Sequence, residues 1–170
     1  SGISGSSSNN NYSMSFDGND YITLSGSWGG QSWTELTIEA WIKINNPTGN
    51  FQAIVSSGTV NEFVHFQSYS AGGNVIWGGD NNGVTSPSTH PNLPIIPDNN
   101  NQWRHCVITS KSGSSILYID GIAIDSSSIN YNYISSTNNL RIGMGHSGGR
   151  FMNGYIDDVR IWNQSLTQQE

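Results

Sequence analysis

The chain has 170 residues, enough for one domain with a sizeable core. Six Lys and Arg stand against twelve Asp and Glu, for a net charge of −6 and a pI near 4.9. That balance argues against non-specific nucleic-acid binding, which needs a basic surface, and leaves no polybasic patch for anionic lipid.

Charged residues make up only 11% of the chain, well below the roughly 25% of ordinary globular proteins. Ser, Asn, Gly and Thr carry the polarity instead, a surface suited to an extracellular setting. No run approaches the ~20 apolar residues of a membrane span, so no membrane insertion is expected. Cys106 is the single cysteine, which excludes an intrachain disulfide. It lies between His105 and Val107 in a strand-like run and is expected as a buried, inert thiol.

Residues 1–11, SGISGSSSNNN, have the composition of a flexible linker. The domain is expected over residues 12–170, as a module of a longer secreted or surface protein. Short runs rich in Val, Ile, Tyr, Trp and Thr then alternate with Gly, Asn, Ser and Pro clusters. This pattern predicts an all-β protein, an antiparallel two-sheet β-sandwich of the jelly-roll kind. The predicted strands, in chain order, are Ser13–Phe16, Tyr21–Leu24, Leu36–Ile44, Gln52–Ser56, Phe63–Ser68, Asn74–Trp77, Gln102–Ser110, Ser115–Ile119, Ile122–Asp125, Asn139–Met144 and Gly154–Trp162. Asp120-Gly121 between two apolar runs signals a two-residue hairpin turn. Residues 86–101 carry four of the five prolines, so they read as a long loop, because proline cannot donate to a sheet ladder. A short helical turn capped by Ser165 is predicted over 165–170.

The run YIDDVRIWN (155–163) places Asp157 and Asp158 side by side. Strand neighbours point to opposite faces, so the two cannot flank one glycosidic bond. Simple alternation groups Tyr155, Asp157, Val159 and Ile161 on one face, with Val159 and Ile161 suggesting that this face looks inward. Ile156 and Trp162 on the other face leave that assignment open. Asp158 is expected to pair with Arg160. The four glutamates, Glu35, Glu39, Glu62 and Glu170, are dispersed. No zinc-type histidine spacing occurs.

Three stretches together, YSMSFDGNDYITL (12–24) with LTIEAWIKIN (36–45), QWRHCVITSKSGSSILYIDGIAI (102–124) and NLRIGMGHSGGRFMNGYIDDVRIWNQSLTQQE (139–170), resemble the laminin-G-like, concanavalin A-like jelly rolls. The resemblance implies a non-catalytic binding or adhesion module for glycans or surface proteins, extracellular or cell-surface, frequently with calcium. It suggests calcium between the Asp-Gly turn and the terminal strand, with Asp17, Asp20 and Asp157 as ligands. The alternative for Asp17-Gly18 is a plain turn, and for Asp157 a cap on backbone amides. Of the six tryptophans, Trp41, Trp103 and Trp162 are expected in the core. Trp28, Trp33, Tyr69, Trp77, His90 and His146 are the loop or edge residues expected to stack on and hydrogen-bond a sugar. A protein-adhesion role without glycan specificity is the second reading, and a glycoside hydrolase or lyase the third.

Overall fold

The computed structural model describes residues 13–24, 34–45, 51–56, 65–69, 74–77, 101–111, 114–127, 139–145 and 149–170, with backbone alone at 51, 65–69, 74–77, 125 and 127. The linker expected at 1–11 and residues 86–100 of the proline-rich stretch lie outside the described residues.

Eleven strands are present among the described residues: β1 (Met14–Asp17), β2 (Ile22–Thr23), β3 (Glu35–Ile44), β4 (Phe51–Ser56), β5 (His65–Tyr69), β6 (Asn74–Trp77), β7 (Arg104–Lys111), β8 (Ser114–Ile119), β9 (Ile122–Ser127), β10 (Arg141–Ile142) and β11 (Asn153–Trp162). They form two antiparallel sheets. The larger has the order β1-β11-β3-β7-β8-β9 and the smaller β2-β10-β4-β5-β6. The first and last strands pair directly, Met14 opposite Ile156 and Asp17 opposite Asn153.

Strand alternation builds the core. In β3 the even positions Leu36, Ile38, Ala40, Ile42 and Ile44 are all buried, and across the register they meet Cys106 and Ile108 of β7. Leu117 and Ile119 of β8, Phe16 of β1 and Ile156 of β11 extend the same layer; Ile54, Val55, Leu140, Ile142 and Met152 complete it. Odd positions of β3 therefore point away from the core. In the smaller sheet β4 is different: Gln52, Ala53, Ile54, Val55 and Ser56 are all at most 2% exposed, so this strand is covered on both faces.

The Asp120-Gly121 turn joins β8 to β9 with φ of 51° and 76°. Both central residues are left-handed, the geometry that a tight hairpin matching strand twist demands. Asp120 also clamps the turn onto β7: its backbone N–H donates to His105 O at 2.8 Å, and its Oδ1 accepts the His105 N–H at 3.0 Å.

The helical turn expected at 165–170 is not there. Residues 163–170 instead lie against the outer side of the larger sheet. Thr37 Oγ1 donates to Gln164 O at 2.7 Å and accepts the Leu166 N–H at 2.9 Å, while the Ser165 N–H donates to Glu35 Oε2 at 3.0 Å. Ser165 is thus spent on β3 and caps nothing. The only reversal in the segment is a turn closed by Glu170, which accepts from both the N–H and the hydroxyl of Thr167.

Candidate functional site

The terminal strand does not alternate evenly. Asp157 lies opposite Trp41 and Arg160 opposite Glu39, so three steps on β11 match two on β3. This is a β-bulge, and Asp158 sits in it at φ 48°. The Asp158 N–H donates to Asp157 Oδ1 at 2.8 Å, which holds the bulge. The extra residue flips the parity. Gly154 and Ile156 face the core before it, and Val159 and Ile161 pack on the core after it. Tyr155, Asp157, Arg160 and Trp162 consequently share the outer face. Simple alternation had put Tyr155 and Asp157 with Val159 and Ile161, and the bulge overturns that grouping.

Arg160 and Trp41 thereby become neighbours on one surface. Trp41 is 40% exposed and its ring lies 5.1 Å from that of His105, tilted by 30°. Trp103, immediately before β7, is 38% exposed, with its ring 6.2 Å from that of Tyr155. Lys43 Nζ sits 5.3 Å from the Tyr155 ring centroid, a cation–π contact. Glu39, only 14% exposed at its side chain, binds two partners: Arg160 Nη1 at 2.5 Å and His105 Nε2 at 3.3 Å. Arg160 Nη2 also reaches Asp158 Oδ2 at 3.5 Å, the expected pair, though Glu39 is the closer partner.

Trp41 and Trp103 are therefore not core residues, as the sequence reading had them, and Trp162 is only half-buried, on the outer face. The signal was available. Trp41 stands between Ala40 and Ile42, with Glu39 and Lys43 two residues away on its own face. The bulk of the ring argued for burial, and the strand period overrides it.

The expected metal ligands do not assemble. Asp17 lies opposite Asn153, four residues before Asp157 on β11, which is about 13 Å of strand. Asp17 Oδ1 accepts the Asn19 N–H at 3.1 Å, a local turn around Gly18. Asp20 is exposed beside it. Among the described residues no three His, Cys, Asp or Glu side chains come together as a metal site. Asp17, Asp20 and Asp157 thus do not fit calcium as one set. Of the expected sugar-binding residues, Trp28, Trp33, His90 and His146 lie outside the described residues. The backbone places Tyr69 at the end of β5, opposite Phe51 and Asn74, and Trp77 at the end of β6, the edge strand, opposite Phe66.

With fold and surface in view, the chain belongs to the concanavalin A-like lectin/glucanases superfamily, whose family model matches residues 6–170. No curated protein matches the sequence. Among solved structures it is similar to domain 4 of AbnA, an extracellular arabinanase of glycoside hydrolase family 43 from Geobacillus stearothermophilus, in complex with arabinotriose. That match has TM-score 0.64 and 16% identity, and covers 92% of this chain and 73% of that one. A Bacteroides ovatus protein proposed to bind carbohydrate matches at TM-score 0.62 and 22% identity, over 93% of this chain and 46% of that one. The binding domain of botulinum neurotoxin DC, in complex with rat synaptotagmin II, matches at 0.56 and 18%, over 81% and 34%. At these identities the likeness is one of fold, and the chain spans less than half the length of the latter two.

Proposed function

We propose that this domain is a non-catalytic carbohydrate-binding module of a larger extracellular protein. The observation that carries the reading is the pair of exposed indoles, Trp41 and Trp103, on one sheet face of a concanavalin A-like fold. An exposed ring in a polar surrounding suits the C–H face of a sugar, whose hydroxyls meet the neighbouring polar groups. The described carboxylates of the larger sheet support binding over bond cleavage, since those on β3, the β8–β9 turn and the bulge are engaged structurally. Glu39 holds Arg160 and His105, Glu35 accepts from Ser165, Asp120 holds Arg104 at 2.6 Å, and Asp157 closes the bulge. The matched structures point the same way, two being named for a bound or proposed carbohydrate ligand. No helix among the described residues is long and apolar enough to cross a membrane.

A glycan array, run with and without a calcium chelator and alongside a reducing-end assay on soluble polysaccharides, tests this directly. Retention of a subset of glycans without product release is the expected result. An empty array in both conditions rejects the carbohydrate reading, and product release rejects the non-catalytic one. The chelator arm tests the calcium that the family resemblance implies. The second reading, protein adhesion, draws on the toxin binding domain that is similar in fold.

A further inference from the structure

Resting on the carbohydrate-binding reading above, the geometry points to the outer face of the larger sheet as the docking surface, and to an uncharged polysaccharide chain as its occupant. In the smaller sheet β4 is covered on both faces, and the described exposure lies at the edge strand β2, at Ile22 and the preceding Tyr21. The outer face of the larger sheet is open around Trp41 and Trp103. Toward Glu35 and Thr37 of β3 it is closed by residues 163–170, and on the β8–β9 side, level with His105, Gln168 Nε2 donates to Gly121 O at 2.7 Å. The open half is thus a bounded platform floored by indole rings.

The surroundings of Trp41 select the class of ligand. Directly across the sheet stand Asp157 and His105, and along the strand Glu39 and Lys43. None is aliphatic. A protein partner would have to desolvate these groups at the heart of its interface, where charged residues are ordinarily depleted. A sugar ring lays its C–H face on the indole and keeps hydroxyls at the rim to hydrogen-bond them.

Charge narrows the class further. Glu39, Asp157 and Asp158 stand against Lys43 and Arg160, three acids to two fixed cations, on a chain of net charge −6. Arg160 is already held by Glu39 and Asp158, and Lys43 lies on Tyr155. A uronate or sulfate would meet repulsion and would need to break these pairs. A neutral glycan needs neither, and its binding leaves few counterions to release.

Wild-type protein, Trp41→Ala, Trp41→Tyr, Trp103→Ala and Tyr21→Ala are measured by calorimetry against arabinan, a soluble β-glucan and polygalacturonate, each at low and high salt. Wild type is expected to bind a neutral polymer with less than about two-fold change between salts. Trp41→Ala and Trp103→Ala are each expected to weaken it by about ten-fold or more. Trp41→Tyr, which keeps a ring, and Tyr21→Ala, an exposed ring beside β2 of the smaller sheet, stay within a few-fold of wild type. Both indoles are exposed, and unchanged thermal melting confirms that the variants are folded. Wild-type binding left intact in both Trp→Ala variants overturns the location and spares the carbohydrate reading. Preference for polygalacturonate, lost at high salt, overturns the charge class. A wild-type dimer that Trp41→Ala dissolves, without glycan binding, assigns the face to a second copy and overturns the inference. Failure of wild type to bind any glycan overturns the proposed function together with the inference.

Discussion

Arg160 donates from Nη1 to Glu39 Oε1 at 2.5 Å, directly across the β3–β11 pairing and one register step from Trp41. The contact exists because the bulge at Asp158 turns Arg160 outward. Glu39 is largely covered while Arg160 is half exposed, so solvent screens the pair and its coupling is modest. A double-mutant cycle with Glu39→Gln and Arg160→Met is expected to give a coupling of about 0.5–1 kcal/mol by urea denaturation. The single Glu39→Gln change is expected to cost more than that coupling, since His105 loses the same partner. A coupling indistinguishable from zero would mean that the bulge, and not the ion pair, orders this face.

Gly154 is where β11 passes closest to β3. It has φ +154°, is buried, and lies opposite both Phe16 and Ile44. A Cβ there would run into the carbonyl oxygen of Lys43 and approach Ile44 Cα to 3.0 Å. Backbone cannot swing aside as a side-chain tip can. Gly154→Ala is therefore expected to destabilise the domain by about 3 kcal/mol, through overpacking and a disfavoured φ together. Thermal melting should fall by roughly 10 °C for a domain of this size. A shift of only a degree or two would show that β3 and β11 can separate at this point without loss.

Much of the fold was legible because the strands carry a clear period of two. Leu36–Ile44 announces its inner and outer faces residue by residue, and all eleven expected runs are strands in the structure, with shifted ends. The Asp-Gly hairpin was equally plain, since only left-handed residues close it. The family resemblance brings the Asp-Gly turn toward the terminal strand, but it does not give the register, which sets Asp17 opposite Asn153 and leaves Asp157 far along the strand. Register depends on packing of the whole sheet and has no local signature here. The bulge was illegible for a related reason: Asp157-Asp158 can continue a strand or interrupt it, and the choice is made by which of Ile156, Val159 and Ile161 reach the core. Trp41 shows the opposite failure. Its alternation was in the sequence, and ring size was allowed to outweigh it.

The C-terminal turn should report its own titration. The Glu170 carboxyl is held below the ordinary glutamate range, first by the Thr167 backbone N–H and then by the Thr167 hydroxyl. With the folded-state value lowered, the turn is supported at pH above the ordinary range and loses that support as pH falls through the folded-state value. By carbon-detected NMR the Glu170 carboxyl is expected to titrate at lower pH than a model peptide, and Thr167→Ala should remove only the smaller, hydroxyl part of that lowering. Because the group is fully exposed, global stability should barely respond, and Glu170→Gln should leave the melting temperature nearly unchanged.

Cys106 should set an alkaline limit on stability. It is fully buried in the core, packed between β3 and β8, where Ala40 and Ile119 are its cross-strand neighbours. Burial pushes its thiol up, well above the ordinary cysteine range; the Asp120 charge adds to the rise, and Arg104 opposes it. The folded protein thus keeps the proton at pH values where the unfolded chain releases it. The contribution is full below the unfolded thiol's pKa, about 8.5, and is lost as pH rises above it, at about 1.4 kcal/mol per pH unit. Urea unfolding from pH 8 to 10 should therefore show falling stability in wild type and a flatter profile in Cys106→Ala, whose stability at neutral pH is itself lower through the lost sulfur packing. A thiol reagent should react with native protein only as fast as the core opens. Rapid modification of the folded protein, or identical alkaline slopes in the two proteins, would contradict a sealed thiol at this position.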